Sequence, residues 1–141
     1  MSLYAESSAV LAWLLGDPEG MRVRELLAAA DIVVSSDLTL IECDRVLTRA
    51  VALGEMAEAA AASRRAILSA ASANWVLLRI DEEIRDRARR PFPLEPVRTL
   101  DAIHLASSLL ARAAVPDISL LSLDERVRSN GRGLGFTLLP E

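Results

Sequence analysis

Four acidic residues stand in segments of the chain that are otherwise mostly apolar. Glu6 follows SLYA, Glu42 interrupts the apolar face of DLTLIECDRVL, Asp101 opens DAIHLASSLLA, and Asp124 follows SLLSL. Carboxylates are seldom fully buried unless they are paired or bound to a cation. Four of them in one pocket would repel each other unless a metal ion lay between them, and hard oxygen ligands favour Mg²⁺ or Mn²⁺. These residues therefore predict a site for a divalent cation.

The elements that must position these acids follow an α/β pattern. Short apolar strands alternate with longer helical segments, which predicts a central, mainly parallel sheet of four or five short strands flanked by helices. Strands are predicted at 3–5, 31–35, 75–80 and 118–123 and in FTLL near the end, and helices at 8–15, 19–30, 37–53, 55–74, 82–90 and 101–114 and after Asp124. The proline-rich segment 91–100 is predicted to be a loop.

All four acids are expected at one edge of this sheet. Sites in open parallel sheets form beyond the carboxyl ends of the strands, and Glu6 and Asp124 both follow predicted strands. Asp101 begins a predicted helix, where the helix dipole favours an anion. A structural alternative stays open for Asp101 and Asp124, because either could simply cap its helix.

Glu42 is expected beside a buried helical stripe. Leu38, Ile41, Arg45 and Val46 share its side of the predicted helix at helical spacing. The alternative is an ordinary ion pair between Glu42 and Arg45, three residues further along the helix.

Length and composition limit the class of protein. The 141 residues, 52% of them apolar, are most simply one domain spanning 1–141, and no apolar stretch reaches the length of about 20 residues that a membrane span needs. No secretory signal is recognisable, so a cytoplasmic protein that does not contact a membrane is expected. The single cysteine, Cys43, excludes an internal disulfide and a cysteine-cluster zinc site.

Charge gives only a weak indication of the partner. The net charge of −4 does not attract nucleic acid to the whole molecule. All 16 basic residues are arginine, whose planar guanidinium binds phosphate in bidentate fashion, although a coding bias explains the same composition. The arginines that flank the acids could hold phosphates or could be ordinary surface residues: Arg45, Arg98, Arg126 and Arg128.

The four acids lie, in order, in four segments of the chain: YAESSAVLAWLLG, VVSSDLTLIECDRVLTRA, RTLDAIHLASSLL and LLSLDERVRSNGRGLGFTLLP. In these segments the chain resembles the PIN-domain nucleases, in particular the VapC-type toxins of type II toxin–antitoxin pairs. RTLDAIHLA and the following SLDERV are the most specific parts. One position departs from the family pattern, because the family usually has aspartate where this chain has Glu6.

The resemblance implies a single PIN-like domain that hydrolyses RNA as a toxin endoribonuclease. It implies that Glu6, Glu42, Asp101 and Asp124 form the catalytic acidic quartet and bind Mg²⁺ or Mn²⁺. It also implies a homodimer and inhibition by a cognate VapB-type antitoxin. A catalytically weak or inactive PIN-like module that binds RNA or protein is the main alternative, since Glu6 is unusual, and a metal-dependent phosphatase or DNA nuclease is a third.

Three further residues could support the acids. Ser7 and Ser8 follow the first acid and could hydrogen-bond a metal-ligating carboxylate, or they could cap the helix. His104 lies three residues after Asp101 on the same helical face. A hydrogen-bonded histidine beside the core is favoured over a general base or a metal ligand. Cys43 is interpreted as a small apolar filler.

Overall fold

Five parallel strands form one sheet at the centre of the structure, a computed structural model that describes all 141 residues. In chain order the strands are β1 (Ser2–Ala5), β2 (Ile32–Ser36), β3 (Val76–Leu78), β4 (Ser119–Leu121) and β5 (Leu138–Leu139). Their order across the sheet is β3-β2-β1-β4-β5, so β1 lies in the middle. The predicted α/β class is confirmed, and the sheet is parallel throughout.

Seven helices cover the sheet. They are α1 (Ser7–Leu15), α2 (Gly20–Ala29), α3 (Asp37–Ala52), α4 (Glu58–Ser72), α5 (Glu82–Ala88), α6 (Thr99–Ala114) and α7 (Glu125–Gly133). None of them is both long and apolar enough to span a membrane.

The apolar core has two halves because alternate residues of each strand face opposite sides of the sheet. Tyr4, Val34 and Leu120 belong to one half, which contains side chains of α5, α6 and α7. Leu3 and Leu121 belong to the other half, which contains side chains of α1, α2, α3 and α4. Both faces of the sheet are therefore buried, as is typical of parallel sheets.

Glycine residues follow two of the helices, and polar side chains cap the first turns of two helices. Gly16 and Gly54 adopt a left-handed conformation, with φ of 71° at each, just after α1 and α3. The side chain of Ser36 accepts a hydrogen bond from the amide of Leu38 and caps α3. Asp81 caps α5 in the same way.

Several predicted strands were too long, and several predicted helices began at the wrong residue. The helix predicted from 55 begins at Glu58, because the left-handed Gly54 is followed by a turn. The strands predicted at 75–80 and 118–123 pair only over three residues each. The helix predicted from Asp101 begins at Thr99, directly after Arg98, which has an extended backbone. Asp101 therefore lies inside the first turn of α6.

The buried face of α3 also differs from the prediction. Thr39, Cys43 and Leu47 are fully buried, whereas Ile41 is exposed. The interpretation that Ile41 belongs to the buried stripe was wrong, because the helix is rotated so that the 39–43–47 row faces the core. Glu42 borders this row and is half-buried, at the boundary between core and solvent.

Candidate active site

Glu6 is a buried carboxylate held by three serine hydroxyls. It follows β1 directly and is 4% exposed. Its Oε1 accepts a hydrogen bond from Ser7 Oγ at 3.0 Å, and its Oε2 accepts from Ser122 Oγ at 2.8 Å and from Ser8 Oγ. Its backbone amide donates to the carbonyl of Leu121 at 2.9 Å, which places it beside the end of β4. The hydroxyls replace the water that this carboxylate has lost.

Glu42 reaches the same place from α3 and contacts a buried histidine. His104 Nε2 lies 2.6 Å from Glu42 Oε1, and Ser7 Oγ donates to that same oxygen at 2.9 Å. Burial acts to raise the pKa of Glu42, but the hydrogen bond and charge of His104, with the bond from Ser7, outweigh it and lower the pKa. The alternative ion pair with Arg45 is not formed.

His104 connects Glu42 to the core. It is 1% exposed, and its Nδ1 lies 3.2 Å from the hydroxyl of Tyr4. Burial, followed by the charges of Glu6 and Glu42, raises the pKa of Tyr4, so that the phenol keeps its proton. His104 Nε2 donates to Glu42 Oε1, and its Nδ1 forms the hydrogen bond with the Tyr4 hydroxyl. The favoured interpretation of His104 as a hydrogen-bonded residue beside the core agrees with these contacts.

Asp101 and Asp124 lie at the starts of α6 and α7. Asp101 does not cap its helix. Burial, and then the charge of Asp124, raise the pKa of Asp101. The guanidinium of Arg98, whose Nε lies 3.9 Å from Asp101 Oδ2, opposes this shift. The charge of Glu6 raises the pKa of Asp101 further. Asp124 does cap α7, since its Oδ1 accepts from the amide of Arg126 at 2.9 Å. Capping leaves its carboxylate partly exposed beside the other acids.

Shared contacts bring three of the acids together at one edge of the sheet, whereas Asp101 is linked to Asp124 and Glu6 only through their charges. Ser7 bridges Glu6 and Glu42, while the amide of Asp124 donates to Ser8 Oγ at 3.1 Å, and Ser8 in turn donates to Glu6. The four do not form a closed cage, because no three histidine, cysteine, aspartate or glutamate side chains are arranged to hold a metal ion.

The chemistry of this donor set nevertheless fits a hard divalent cation. Ser7 has one hydroxyl proton but faces an oxygen of Glu6 and an oxygen of Glu42 at nearly equal distances. Only one of these two oxygens can accept that proton, so two carboxylates lie on either side of a single hydroxyl. Burial, and then the charges of Asp124 and Glu6, raise the pKa of Asp101, so its negative charge is unfavourable as well. A divalent cation bound by these carboxylate oxygens would offset the negative charge at Glu6 and Glu42 and at Asp101.

Two residues of the site were missed by the sequence analysis. Ser122 lies one residue beyond Leu121, which pairs with Ala5, so its position in the sheet is level with Glu6. That register follows only from the pairing of β1 with β4. Tyr4 lies two residues before Glu6 and faces the same side of β1, a spacing that could have indicated it.

Cys43 and Arg128 have structural roles. Burial raises the pKa of the Cys43 thiol to about 12, so it carries no reactive thiolate. Arg128, one of the arginines considered for phosphate binding, donates instead to the carbonyls of Ser122, Leu139 and Pro140 at 2.8, 3.2 and 2.9 Å. It ties the end of β4 to the end of the chain and is not free to bind a ligand.

Comparison with known proteins identifies relatives along the whole chain. The PIN domain family model matches residues 3–132. Ribonuclease VapC46 of Mycobacterium tuberculosis is 34% identical over 138 residues, which cover 98% of this chain and 96% of that protein. A toxin–antitoxin complex from Klebsiella pneumoniae contains a chain of similar fold, with a TM-score of 0.64 and 18% identity over 99% of this chain and 98% of that one. VapBC2 from Rickettsia felis, bound to a promoter DNA fragment, has a TM-score of 0.63 at 10% identity, covering 98% and 97% of the two chains.

Proposed function

We propose that this chain, which belongs to the PIN-domain family, is a VapC-type toxin that hydrolyses RNA as an endoribonuclease. The observation that carries the proposal is the cluster of Glu6, Glu42, Asp101 and Asp124 at the carboxyl edge of the sheet, in a chain 34% identical to a VapC ribonuclease. Ser7 Oγ lies 3.0 Å from His104 Nε2, but that nitrogen donates to Glu42 and cannot accept the hydroxyl proton, so water is the expected attacking group.

A Mg²⁺ or Mn²⁺ ion held by the four acids would supply an activated water and neutralise charge on the phosphoryl oxygens. The residues of the chain orient the ligands. Ser7, Ser8 and Ser122 fix both oxygens of Glu6, and His104 fixes one oxygen of Glu42. Such partners of ligating groups set the geometry of a metal site.

The proposed partners are a VapB-type antitoxin and a second copy of the chain. The structural relatives come from toxin–antitoxin complexes, and large apolar side chains are exposed on α3 and α4 or just after α3, namely Ile41, Leu53 and Ile67. Exposed apolar patches usually mark interaction surfaces. A basic antitoxin side chain that reached the carboxylates would compete with the cation and so inhibit the site.

Cleavage of RNA by the purified protein tests this function. We expect cleavage of a structured RNA with Mg²⁺ or Mn²⁺, no cleavage with EDTA, and inhibition by the cognate antitoxin. Light scattering should report a dimer at high micromolar concentration. Absence of cleavage with either ion would refute the ribonuclease, and a bound antitoxin that left cleavage unchanged would refute inhibition at this site.

A non-catalytic PIN-like binding module is the second candidate, and one observation favours it. Glu6 stands where the family usually has aspartate, and its two oxygens are already hydrogen-bonded to serines. Glu6→Asp separates the candidates. If Glu6 is a ligand, shortening it by one methylene changes the Mn²⁺ or Mg²⁺ concentration that half-saturates cleavage. Unchanged metal binding, together with no RNA cleavage by either protein, would favour the binding module.

A further inference from the structure

A cleft of about 500 Å³ is lined by Asp101 but by none of the other three acids of the cluster. One wall is the loop before α6, with Leu94, Pro96 and Val97, and the other is α7. Arg98 and Arg126 lie at the end nearest the acids, with the guanidinium nitrogens 3.9 Å from Asp101 and 3.3 Å from Asp124. The volume lies within the range of small-ligand clefts. The cleft thus combines an apolar wall with two cations, and the carboxylates of Asp101 and Glu125 also line it.

The apolar wall is rigidly braced. Asn130 is buried and accepts from the amide of Leu94 at 2.9 Å while donating to its carbonyl at 3.1 Å. The carboxylate of Glu95 accepts from the amides of Phe92 and Val97 at 2.7 and 2.8 Å. A wall held by four hydrogen bonds is formed before any ligand arrives, which lowers the entropic cost of binding.

The two arginines are available for a phosphate. Both are well exposed, and their ion pairs with Asp101 and Asp124 are of the surface type that contributes little to stability. A phosphate would bind them more strongly, because a guanidinium and a phosphate form short charge-assisted hydrogen bonds. The net charge of the chain is −4, so the molecule as a whole does not attract RNA. The two neighbouring arginines would supply that attraction at the cleft.

We propose that this cleft is a subsite for one nucleotide of single-stranded RNA next to the scissile phosphate. Arg98 and Arg126 bind its phosphate, and the unstacked base lies against Leu94, Pro96 and Val97. A base in a duplex is stacked on its neighbours and cannot enter, so the subsite selects unpaired RNA. The inference rests on the proposed ribonuclease function and adds to it the residues that position the substrate.

Steady-state cleavage of a single-stranded oligoribonucleotide with saturating Mn²⁺ tests the phosphate contacts. Arg98→Gln and Arg126→Gln should each raise KM by roughly tenfold and leave kcat unchanged. Each should also reduce the slope of log(kcat/KM) against log(salt) by about 0.7, the value for one lost phosphate contact on a single strand. Arg22→Gln is the matched control, since Arg22 is similarly exposed and pairs with Glu25 at the same i, i+3 spacing as Arg98 with Asp101. It should change neither quantity.

Two further measurements separate a substrate contact from other effects. The Mn²⁺ concentration for half-maximal rate should stay nearly the same in the arginine variants, because these exposed ion pairs, at 3.9 and 3.3 Å, add little to the orientation of Asp101 and Asp124. Leu94→Ser should raise KM and alter the base preferred next to the cleavage point, without changing the salt slope. Met21→Ser, at a residue 61% exposed against 55% for Leu94, is its control.

The outcomes distinguish the two proposals. If the wild-type protein cleaves RNA but the cleft variants behave like their controls, the subsite is refuted and the ribonuclease stands. If only double-stranded RNA is cleaved, the subsite is also refuted. If the wild-type protein cleaves no RNA with either ion, both the ribonuclease function and the nucleotide subsite are refuted.

Discussion

His104 Nε2 lies 2.6 Å from Glu42 Oε1, although the two residues are 62 positions apart in the chain. The contact joins α6 to α3 across the mouth of the site, and the other ring nitrogen is 3.2 Å from the hydroxyl of Tyr4 on β1. A carboxylate with one oxygen held in this way presents its other oxygen in a defined direction. His104 therefore acts as a positioning residue for Glu42.

Replacing His104 should impair the site more than the fold. We expect His104→Gln to weaken Mn²⁺ binding and cleavage by roughly 10–100-fold, the usual effect of losing a partner of a metal ligand. Loss of buried hydrogen bonds should cost about 1–3 kcal/mol of unfolding free energy. Metal titration of the cleavage rate and chemical denaturation measure the two effects. Equal metal dependence in variant and wild type would show that His104 only fills space.

Asp101→Asn should abolish RNA cleavage while the protein stays folded. A direct ligand should matter more than its outer partners, so the loss should exceed about 100-fold. The fold should be as stable as before or slightly more stable, since burial and the charge of Asp124 raise the pKa of Asp101 and its negative charge is unfavourable. Cleavage assays and thermal unfolding check this. A variant that cleaves at the wild-type rate would remove Asp101 from the site.

Ser122→Ala should reduce metal affinity although Ser122 is not expected to touch the ion. It removes the hydroxyl that donates to Glu6 Oε2 at 2.8 Å, leaving that oxygen less firmly oriented. A loss of roughly 10–100-fold in Mn²⁺ affinity is expected. Ser63→Ala, at an exposed position on α4, is the control and should have no effect. Calorimetry of Mn²⁺ binding measures this directly, and equal affinities would contradict the assigned role.

Stability should pass through a maximum on the acid side of neutrality when metal is removed with EDTA. The folded pKa of Asp101 is raised, so the folded state binds its proton more readily and gains stability as pH falls through that pKa. Glu42 has the opposite sign: its folded pKa is lowered, so its contribution is lost as pH falls through that lower value. Thermal unfolding against pH measures both. Asp101→Asn should remove the gain, Glu42→Gln should remove the later loss, and profiles like that of the wild type would contradict the assignment.

Added Mn²⁺ should raise the melting temperature at neutral pH. The ion binds the assembled site and not the unfolded chain, so a concentration 100 times its Kd adds about 2.7 kcal/mol. Asp101→Asn should lose most of this shift, which separates binding at the acidic cluster from general effects of the salt. A melting temperature that stays constant across millimolar Mn²⁺ would argue strongly against a cation site.

The sequence by itself determined the α/β class, the order of the elements and the location of the acids near strand ends and helix starts. These follow from local periodicity and capping, as the cap of α3 by Ser36 and that of α7 by Asp124 illustrate. Boundaries were less certain, because α6 begins where the backbone leaves the proline-rich segment and not at its first acid.

Only the tertiary structure decided which side chains meet. The partner of Glu42 is His104 and not the nearby Arg45, because α6 packs across the sheet edge and brings a buried imidazole to it. Ser122 supports Glu6 because β1 and β4 pair with Ala5 opposite Leu121. The cleft beside Asp101 exists because Asn130 of α7 holds the loop at Leu94. Contacts of this kind depend on the packing angle of helices and the register of strands, which local sequence does not encode.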